Sequence, residues 1–350
     1  MRFIPAAKLK PGMTIAKTIF DSNDNVLLNS NVCLNDAYIT QLLRRGVIGA
    51  YIKDELSQNI IVQEAISNEL RASAIKSIKE LDLEKTIDIA KKIVSQLSSD
   101  NTVIFDLVDI RTFDDYTYRH SINVAITSTM VGMGMGLSYD ELAELCLAAL
   151  LHDIGKLQID PAILNKAGKL TDEEFMIMKS HPSIAYEIVK DRWDISATTK
   201  IGMLLHHENC DGSGYPYGLK EAKIHRYARI IHVADVYDAL TSKRPYKDAY
   251  FPAESAEYIM GNCGTLFDRE AIEIFFGYVP LYPKGTEVYL SDGRRAIIAE
   301  NFKYNTMRPR VIADPTGESL DLLNDANCRN ITIVGMDKYE DESKFSKTIR

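Results

Sequence analysis

Seven histidines occur in this chain, at positions 120, 152, 181, 206, 207, 225 and 232, and all lie between His120 and Asp238. Imidazole works as an acid or base near neutral pH and is the commonest metal ligand among side chains. Two of the histidines adjoin, His206-His207, and one precedes a carboxylate, His152-Asp153. Consecutive residues of a helix project ~100° apart, so each pair can address two ions at one site. A carboxylate such as Asp153 can also bridge two cations while neutralising part of their charge; the plain alternative is a buried His152-Asp153 hydrogen bond. Lys156 follows closely. The five cysteines (33, 146, 210, 263 and 328) form no Cys-x-x-Cys pair, which points to neither a disulfide framework nor a thiolate zinc site. Imidazole and carboxylate donors without thiolate suit iron, manganese or zinc, and not magnesium or copper(I).

A single histidine on an apolar helix face is more often a satisfied core residue than a ligand; recurrence changes that. From His120 to His152, His181, His206 and Asp235 the steps are 32, 29, 25 and 29 residues, each about one helix plus its return connection. Helices antiparallel in a bundle can then bring one ligand cluster each to the same level of the core. Patterning supplies the helices. Residues 114–135 place His120, Val124, Thr127 and Val131 on one face, up to the Gly132, Gly134, Gly136 series. A capping box, Ser138 with Glu141, opens a helix with Leu142, Leu145, Ala149 and His152 inward and Gly155 as its stop. A second box, Thr171 with Glu174, opens a helix carrying Phe175, Met178 and His181 inward, with Pro182 marking the break after it. Residues 196–208 set Ile201, Leu204 and Leu205 before the histidine pair. Residues 226–242 align Ala228, Ile231, Asp235 and Asp238 on a stripe where a carboxylate needs a cation or a hydrogen-bond partner. His225 and His232 fall outside the set and read as structural or surface residues.

The remaining chain frames this stretch. At 350 residues, two or three domains are expected. No apolar run approaches the ~20 residues that span a bilayer, and the opening residues lack the apolar core of a secretory signal; a cytoplasmic protein without a membrane partner is the simplest expectation. A net charge of −8 argues against a polynucleotide partner, which needs a basic surface, and leaves a small phosphorylated ligand open. Residues 1–55 predict a small α/β module: a strand over 14–20, a hairpin to 26–28, a helix from Asn35 or Asp36 to Leu43 with Gly46 beyond it, and a strand over 48–52. It is expected to dock or regulate, with a signalling partner. Residues 56–99 predict a helical connector running over 58–97; it suits an interdomain helix, a homodimer helix, or the first helices of the catalytic domain. Residues 280–350 predict a small β domain: a hairpin around Asp292-Gly293, strands over 311–313 and 331–334, and a charged tail from Asp337. It covers the active-site mouth, mediates dimerisation or stabilises the helices.

The motifs themselves read His152-Asp-Ile-Gly-Lys156, His181-Pro182, His206-His-Glu-Asn-Cys-Asp-Gly-Ser-Gly-Tyr-Pro216, Ala234-Asp-Val-Tyr-Asp-Ala-Leu240 and Arg244-Pro-Tyr-Lys247. This pattern resembles the HD-GYP subgroup of the HD phosphohydrolase superfamily over about residues 100–275. The resemblance implies a helical catalytic domain over 100–279, and so a multidomain, mainly α chain: a helical HD-type bundle flanked by the α/β and β modules. It implies hydrolysis of cyclic di-GMP, with either linear pGpG or GMP as the final product, using two iron or manganese ions. The implied metal ligands are His120, His152, Asp153, His181, His206, His207 and Asp235. Lys156 matches a lysine near the attacked phosphate. Some members hold a third metal through a glutamate where this chain has Tyr116, beside Asp115, so two are expected.

Two such ions ~3.5–4 Å apart share a hydroxide at neutral pH and polarise a phosphate oxygen. With Asp153 as the bridge, in-line attack opens the ring and expels the 3′ oxygen, while Lys156 stabilises the developing charge or helps protonate the leaving oxygen. Asp211, Gly214, Tyr215 and Pro216 form a loop whose glycines let backbone N–H groups approach a ligand, with Tyr215 free to stack on a base. Asp238, Arg244 and Lys247 are further candidates for substrate contact; the last two are equally readable as a solvated basic pair. The competing readings are a phosphohydrolase for another cyclic dinucleotide, such as cyclic GMP-AMP, and a non-catalytic cyclic-dinucleotide receptor.

Overall fold

A computed structural model of the chain describes residues 1–21, 25–99, 116–166, 168–241 and 250–336, with the side chains of Tyr116 and Thr117 outside the description. Two compact units result. Among the described residues, one contains 1–63 and 282–336, and the other contains 64–99 and 116–281.

The first unit joins both ends of the chain. Its N-terminal part comprises β1 (Arg2–Pro5), β2 (Thr14–Ile15), β3 (Ile19–Phe20), β4 (Val26–Leu28), α1 (Asp36–Arg44) and β5 (Gly49–Lys53). The strand expected over 14–20 is split, because Ile15 pairs with Ile52 whereas Ile19 pairs with Leu28 in a separate hairpin. Asn35 caps α1 by accepting from the Tyr38 N–H, and Gly46 follows at φ +69°. The C-terminal part is an antiparallel sheet of β6 (Glu287–Leu290), β7 (Arg295–Glu300), β8 (Arg310–Asp314), β9 (Ser319–Asp321) and β10 (Ile333–Met336), in the order β10-β6-β7-β8-β9. Phe3, Tyr51, Ile60, Val62 and Ile297 share one buried cluster. The Phe3 N–H donates to Gly285 O at 2.8 Å, and the Arg2 guanidinium lies 2.7 Å from Asp54 and 3.3 Å from Asp314. Local patterning treats the two ends as separate modules; these contacts span up to 312 positions.

The second unit is helical. It runs α2 (Asn68–Lys79), α3 (Leu83–Ser98), α4 (Tyr116–Gly134), α5 (Tyr139–Leu151), a 3-10 turn (Ile154–Gln158), α6 (Pro161–Leu164), α7 (Asp172–Met178), α8 (His181–Val189), α9 (Ala197–Leu204), α10 (Arg226–Thr241), α11 (Pro252–Gly261) and α12 (Arg269–Tyr278). The helix expected over 58–97 is in fact two. Ser67 caps α2 and Asp82 caps α3, and Leu81 between them adopts φ +53°. Both helices pack on α4, and α3 also packs on α5. Capping boxes at Ser138/Glu141 and Thr171/Glu174 open α5 and α7. Every residue of α5 from Leu145 to Leu151 is buried, so α5 is the hub against which α3, α4 and α9 pack. The architecture is mainly α with an α/β and a β part, as patterning predicts. No helix among the described residues is long and apolar enough to cross a membrane.

Three helices end earlier than their periodicity suggests, and the differences matter for the site. α5 stops at Leu151, α7 at Met178 and α9 at Leu204. Pro182 does not terminate a helix: it is the second residue of α8, where its missing N–H costs nothing. Phe175, expected inward, is 45% exposed.

Candidate metal centre

The last carbonyls of a helix lack an N–H partner within it, and three histidines use them. His152, just past α5, donates its Nδ1–H to Ala149 O at 2.7 Å. His181 donates to Met178 O, at the end of α7, at 2.8 Å. His206, just past α9, donates to Met203 O at 2.6 Å. A carbonyl can only accept, so the partners assign the proton to Nδ1 in all three rings. Each Nε2 then turns a lone pair inward.

Those lone pairs face other acceptors. His181 Nε2 lies 3.4 Å from His206 Nε2 and 3.3 Å from Asp153 Oδ1. Asp153 Oδ1 and His152 Nε2 are buried without a hydrogen-bond partner. Acceptors packed face to face away from water are unfavourable unless a cation or proton lies between them. Three triads of donor atoms converge, each with its atoms within 4.8 Å of one another: His181, His206 and His207; His120, His152 and Asp153; His152, His206 and Asp235. Seven residues from five segments of the unit thus form one cluster able to hold metal, and imidazole with carboxylate suits a divalent first-row ion.

The charges suit it too. His120 Nε2 lies 2.9 Å from Asp235 Oδ1, and its Nδ1 lies 2.7 Å from Asp238 Oδ2. Burial alone would lower its pKa, but the two carboxylates outweigh burial and push it up to about 9, so without a cation His120 is protonated and a metal must displace its Nε2 proton, held by Asp235, before the ring can ligate. Burial likewise opposes ionisation of Asp153 and Asp235. His152 and Lys156 overcome it at Asp153, and His120 at Asp235, holding both well below the usual carboxylate range. Burial pushes His206 and His207 well below the usual histidine range, so both are neutral at pH 7, as ligands must be. The Lys156 ammonium sits 2.6 Å from Asp153 Oδ2 on a partly exposed side chain.

Gly155 is not the left-handed helix stop that its position suggests. A Cβ there would meet His181 O at 2.0 Å and Ala185 N at 2.8 Å; only glycine lets the 3-10 turn lie against the start of α8. Asp238, expected at the substrate, bonds His120 Nδ1 through one oxygen and accepts from Asn123 Nδ2 at 3.1 Å through the other. Asp211 is exposed and shapes its own turn, accepting from the Ser213 N–H at 2.8 Å. Tyr215 stacks on the His207 ring at 4.7 Å and meets His181 edge-on; the peptide joining it to Pro216 is cis. A Cβ on Gly214 would strike Asn209 N at 2.3 Å and His207 O at 2.4 Å. Arg244, Lys247 and Asp115 lie outside the described residues, as does the side chain of Tyr116. His225 makes an edge contact with Tyr227, and His232 donates its Nδ1–H to His206 O at 2.9 Å.

Glu208 has a place that residue spacing does not reveal. It is 2% exposed, and its two oxygens accept from the N–H groups of Tyr217 at 2.7 Å and Leu219 at 2.9 Å. The carboxylate therefore ties the segment carrying Tyr215 back to the histidine pair. The one hint in the sequence is a carboxylate directly after two histidines. In Glu208→Gln one acceptor becomes a donor facing a backbone N–H, which costs ~1–3 kcal/mol. The urea midpoint is expected to fall at unchanged slope; an equal midpoint would show that the loop needs no such tie.

A model of the HD domain family matches residues 84–271. A cyclic di-GMP phosphodiesterase of Pseudomonas aeruginosa is 34% identical over 264 residues, covering 73% of this chain and 63% of that one. One of Thermotoga maritima is 32% identical, covering 79% and 77% respectively. A 3′3′-cGAMP-specific phosphodiesterase of Vibrio cholerae is 36% identical over 48% of this chain and 36% of its own. The chain thus spans less than two thirds of the Pseudomonas relative.

Proposed function

The chain belongs to the HD-domain family and, with its Gly214-Tyr-Pro216 loop, to the HD-GYP branch, and we propose that it is a metal-dependent phosphodiesterase that linearises cyclic di-GMP. The observation that carries this reading is the 3.4 Å approach of the His181 and His206 Nε2 lone pairs, beside a buried carboxylate oxygen without a hydrogen-bond partner. That arrangement is stable around cations, and the donor set fits two ions of iron or manganese. Divalent ions supply Lewis acidity there, drawing charge from a phosphate oxygen and lowering the pKa of water.

The protein's own groups do the rest. His152, His181 and His206 are held by helix-end carbonyls, so they lose little freedom on binding ions. The oxygens of Asp153 lie within 3.8 Å of the Nε2 atoms of three histidines, so this carboxylate would be the one that two ions share. Lys156 places an ammonium beside it, where it offsets charge on the attacked phosphate or delivers a proton to the departing 3′ oxygen. Tyr215 walls the site above His207 and offers its ring to a base, with Asp211, Gly214 and Pro216 shaping the loop around it. Arg244 and Lys247 are assigned to a second phosphate.

Metal analysis coupled to product chromatography tests this, with cyclic di-GMP and 3′3′-cGAMP offered separately. Two equivalents of iron or manganese and linear pGpG are expected. Turnover of 3′3′-cGAMP alone would move the substrate to the mixed dinucleotide, and tight binding without turnover by metal-loaded protein would make the protein a receptor. Chelation provides an independent check. Ions at a hundredfold excess over Kd stabilise the folded state by about 2.7 kcal/mol, so stripping them should lower Tm by roughly 5 °C or more. An unchanged Tm would count against a buried metal centre.

A further inference from the structure

A line of hydrogen bonds runs from the metal centre into α2, a helix whose sequence reads as a connector. His120 Nδ1 bonds Asp238 Oδ2 at 2.7 Å. Asp238 Oδ1 accepts from Asn123 Nδ2 at 3.1 Å, and Asn123 Oδ1 accepts from Arg71 Nη1 at 3.2 Å. His120 and Asn123 belong to α4, Asp238 to α10 and Arg71 to α2. Arg71 is only 8% exposed, unusual for a guanidinium.

We propose that Arg71 is a positioning residue for the metal centre, acting through Asn123 and Asp238 to hold His120 in its ligating orientation. The inference rests on the metal reading above. Its logic lies in the polarity of the chain. A guanidinium can only donate and a carboxylate can only accept. Asn123, which can do both, is therefore forced to turn its oxygen to Arg71 and its NH2 to Asp238. One Asp238 oxygen is thereby occupied and the other is aimed at His120. The His120 Nδ1–H has a fixed acceptor, and Nε2 points at the cluster it shares with His152 and Asp153. Without Arg71 the amide is free to flip and set its oxygen against the carboxylate, which loosens both Asp238 and His120. Partners that orient a ligating histidine change metal affinity about 10–100-fold, and Arg71 stands two links further out, so the lower end applies.

Calorimetric titration of the metal-stripped 350-residue chain with manganese(II) alone tests this. Arg71→Met and Asn123→Leu are each expected to weaken manganese binding about tenfold, and Asp238→Asn at least as much. The Arg71→Met/Asp238→Asn double variant should bind no more weakly than Asp238→Asn, because the line is already cut. Wild-type affinity in Arg71→Met, or penalties that simply add in the double variant, would overturn the proposal; additivity is what a merely structural arginine would give. If Arg71→Met fails to fold, Asn123→Leu breaks the same line without removing a charge, and wild-type affinity there would overturn the proposal equally. Wild-type protein that binds neither manganese(II) nor, titrated anaerobically, iron(II) would overturn the metal reading, and this inference with it.

Discussion

Asparagine in place of Asp153 is expected to reduce turnover of cyclic di-GMP about a thousandfold or more and to leave the centre short of metal. Asp153 is 3% exposed, and its oxygens lie within 3.3–3.8 Å of the Nε2 atoms of His120, His152 and His181. An amide there removes a negative charge that would offset bound cations and replaces one acceptor with an N–H donor. Lewis-acid catalysis contributes several kcal/mol, and each 1.36 kcal/mol is tenfold in rate; losing about 4 kcal/mol accounts for the thousandfold. The metal-free protein should lose stability as well. A carboxylate held ionised by His152 and Lys156 stabilises the fold at neutral pH, so Tm of the stripped variant is expected to fall below that of stripped wild type. Metal content, turnover and Tm measured on one preparation decide it. Full metal content with intact turnover would refute the bridging role of Asp153.

Alanine at Gly155 should damage the centre without changing any of its imidazole or carboxylate side chains. The added Cβ would sit 2.0 Å from His181 O and 2.9 Å from its carbonyl carbon, and these are backbone atoms that cannot rotate away. Relief requires the 3-10 turn or the start of α8 to move by about 1 Å. Overpacking of this kind costs ~1–3 kcal/mol, and a 1 Å misplacement of a reacting group can cost about a hundredfold in rate. Both are expected: a lower urea midpoint at unchanged slope, and kcat down about a hundredfold with His181 displaced. A variant with wild-type midpoint and kcat would mean that the turn and α8 have slack that the close approach does not suggest.

The helices were readable because their apolar stripes, capping boxes and prolines are local signals. Ser138 with Glu141 and Thr171 with Glu174 announce α5 and α7 from four residues each. Periodicity was a poorer guide to where helices stop. Met178 and His181 share a face by spacing, yet α7 ends between them and Pro182 starts α8, since proline is as compatible with a helix start as with a break. Gly155 carried an ambiguous signal too, because a glycine after a helix suits either a left-handed stop or a close approach, and the deciding neighbour, His181, is far along the chain. Glu208 escapes sequence patterning because its partners are backbone N–H groups, to which residue identity gives no clue.

By itself, the sequence determined the chemistry on offer: imidazoles and carboxylates recurring about once per helix, without thiolates, in a chain whose patterning is mainly α. Tertiary structure alone decided how those groups are used. Three of the histidines sit at helix ends, where unpaired carbonyls take the Nδ1 protons of His152, His181 and His206, and this turns the Nε2 lone pairs toward one another. It also made α2 part of the surroundings of His120 and joined the two ends of the chain in one unit. Residue type specifies which hydrogen bonds a side chain can make; only the packing of distant segments specifies which remain for it to make, and at this centre what remains is a set of acceptors that calls for cations.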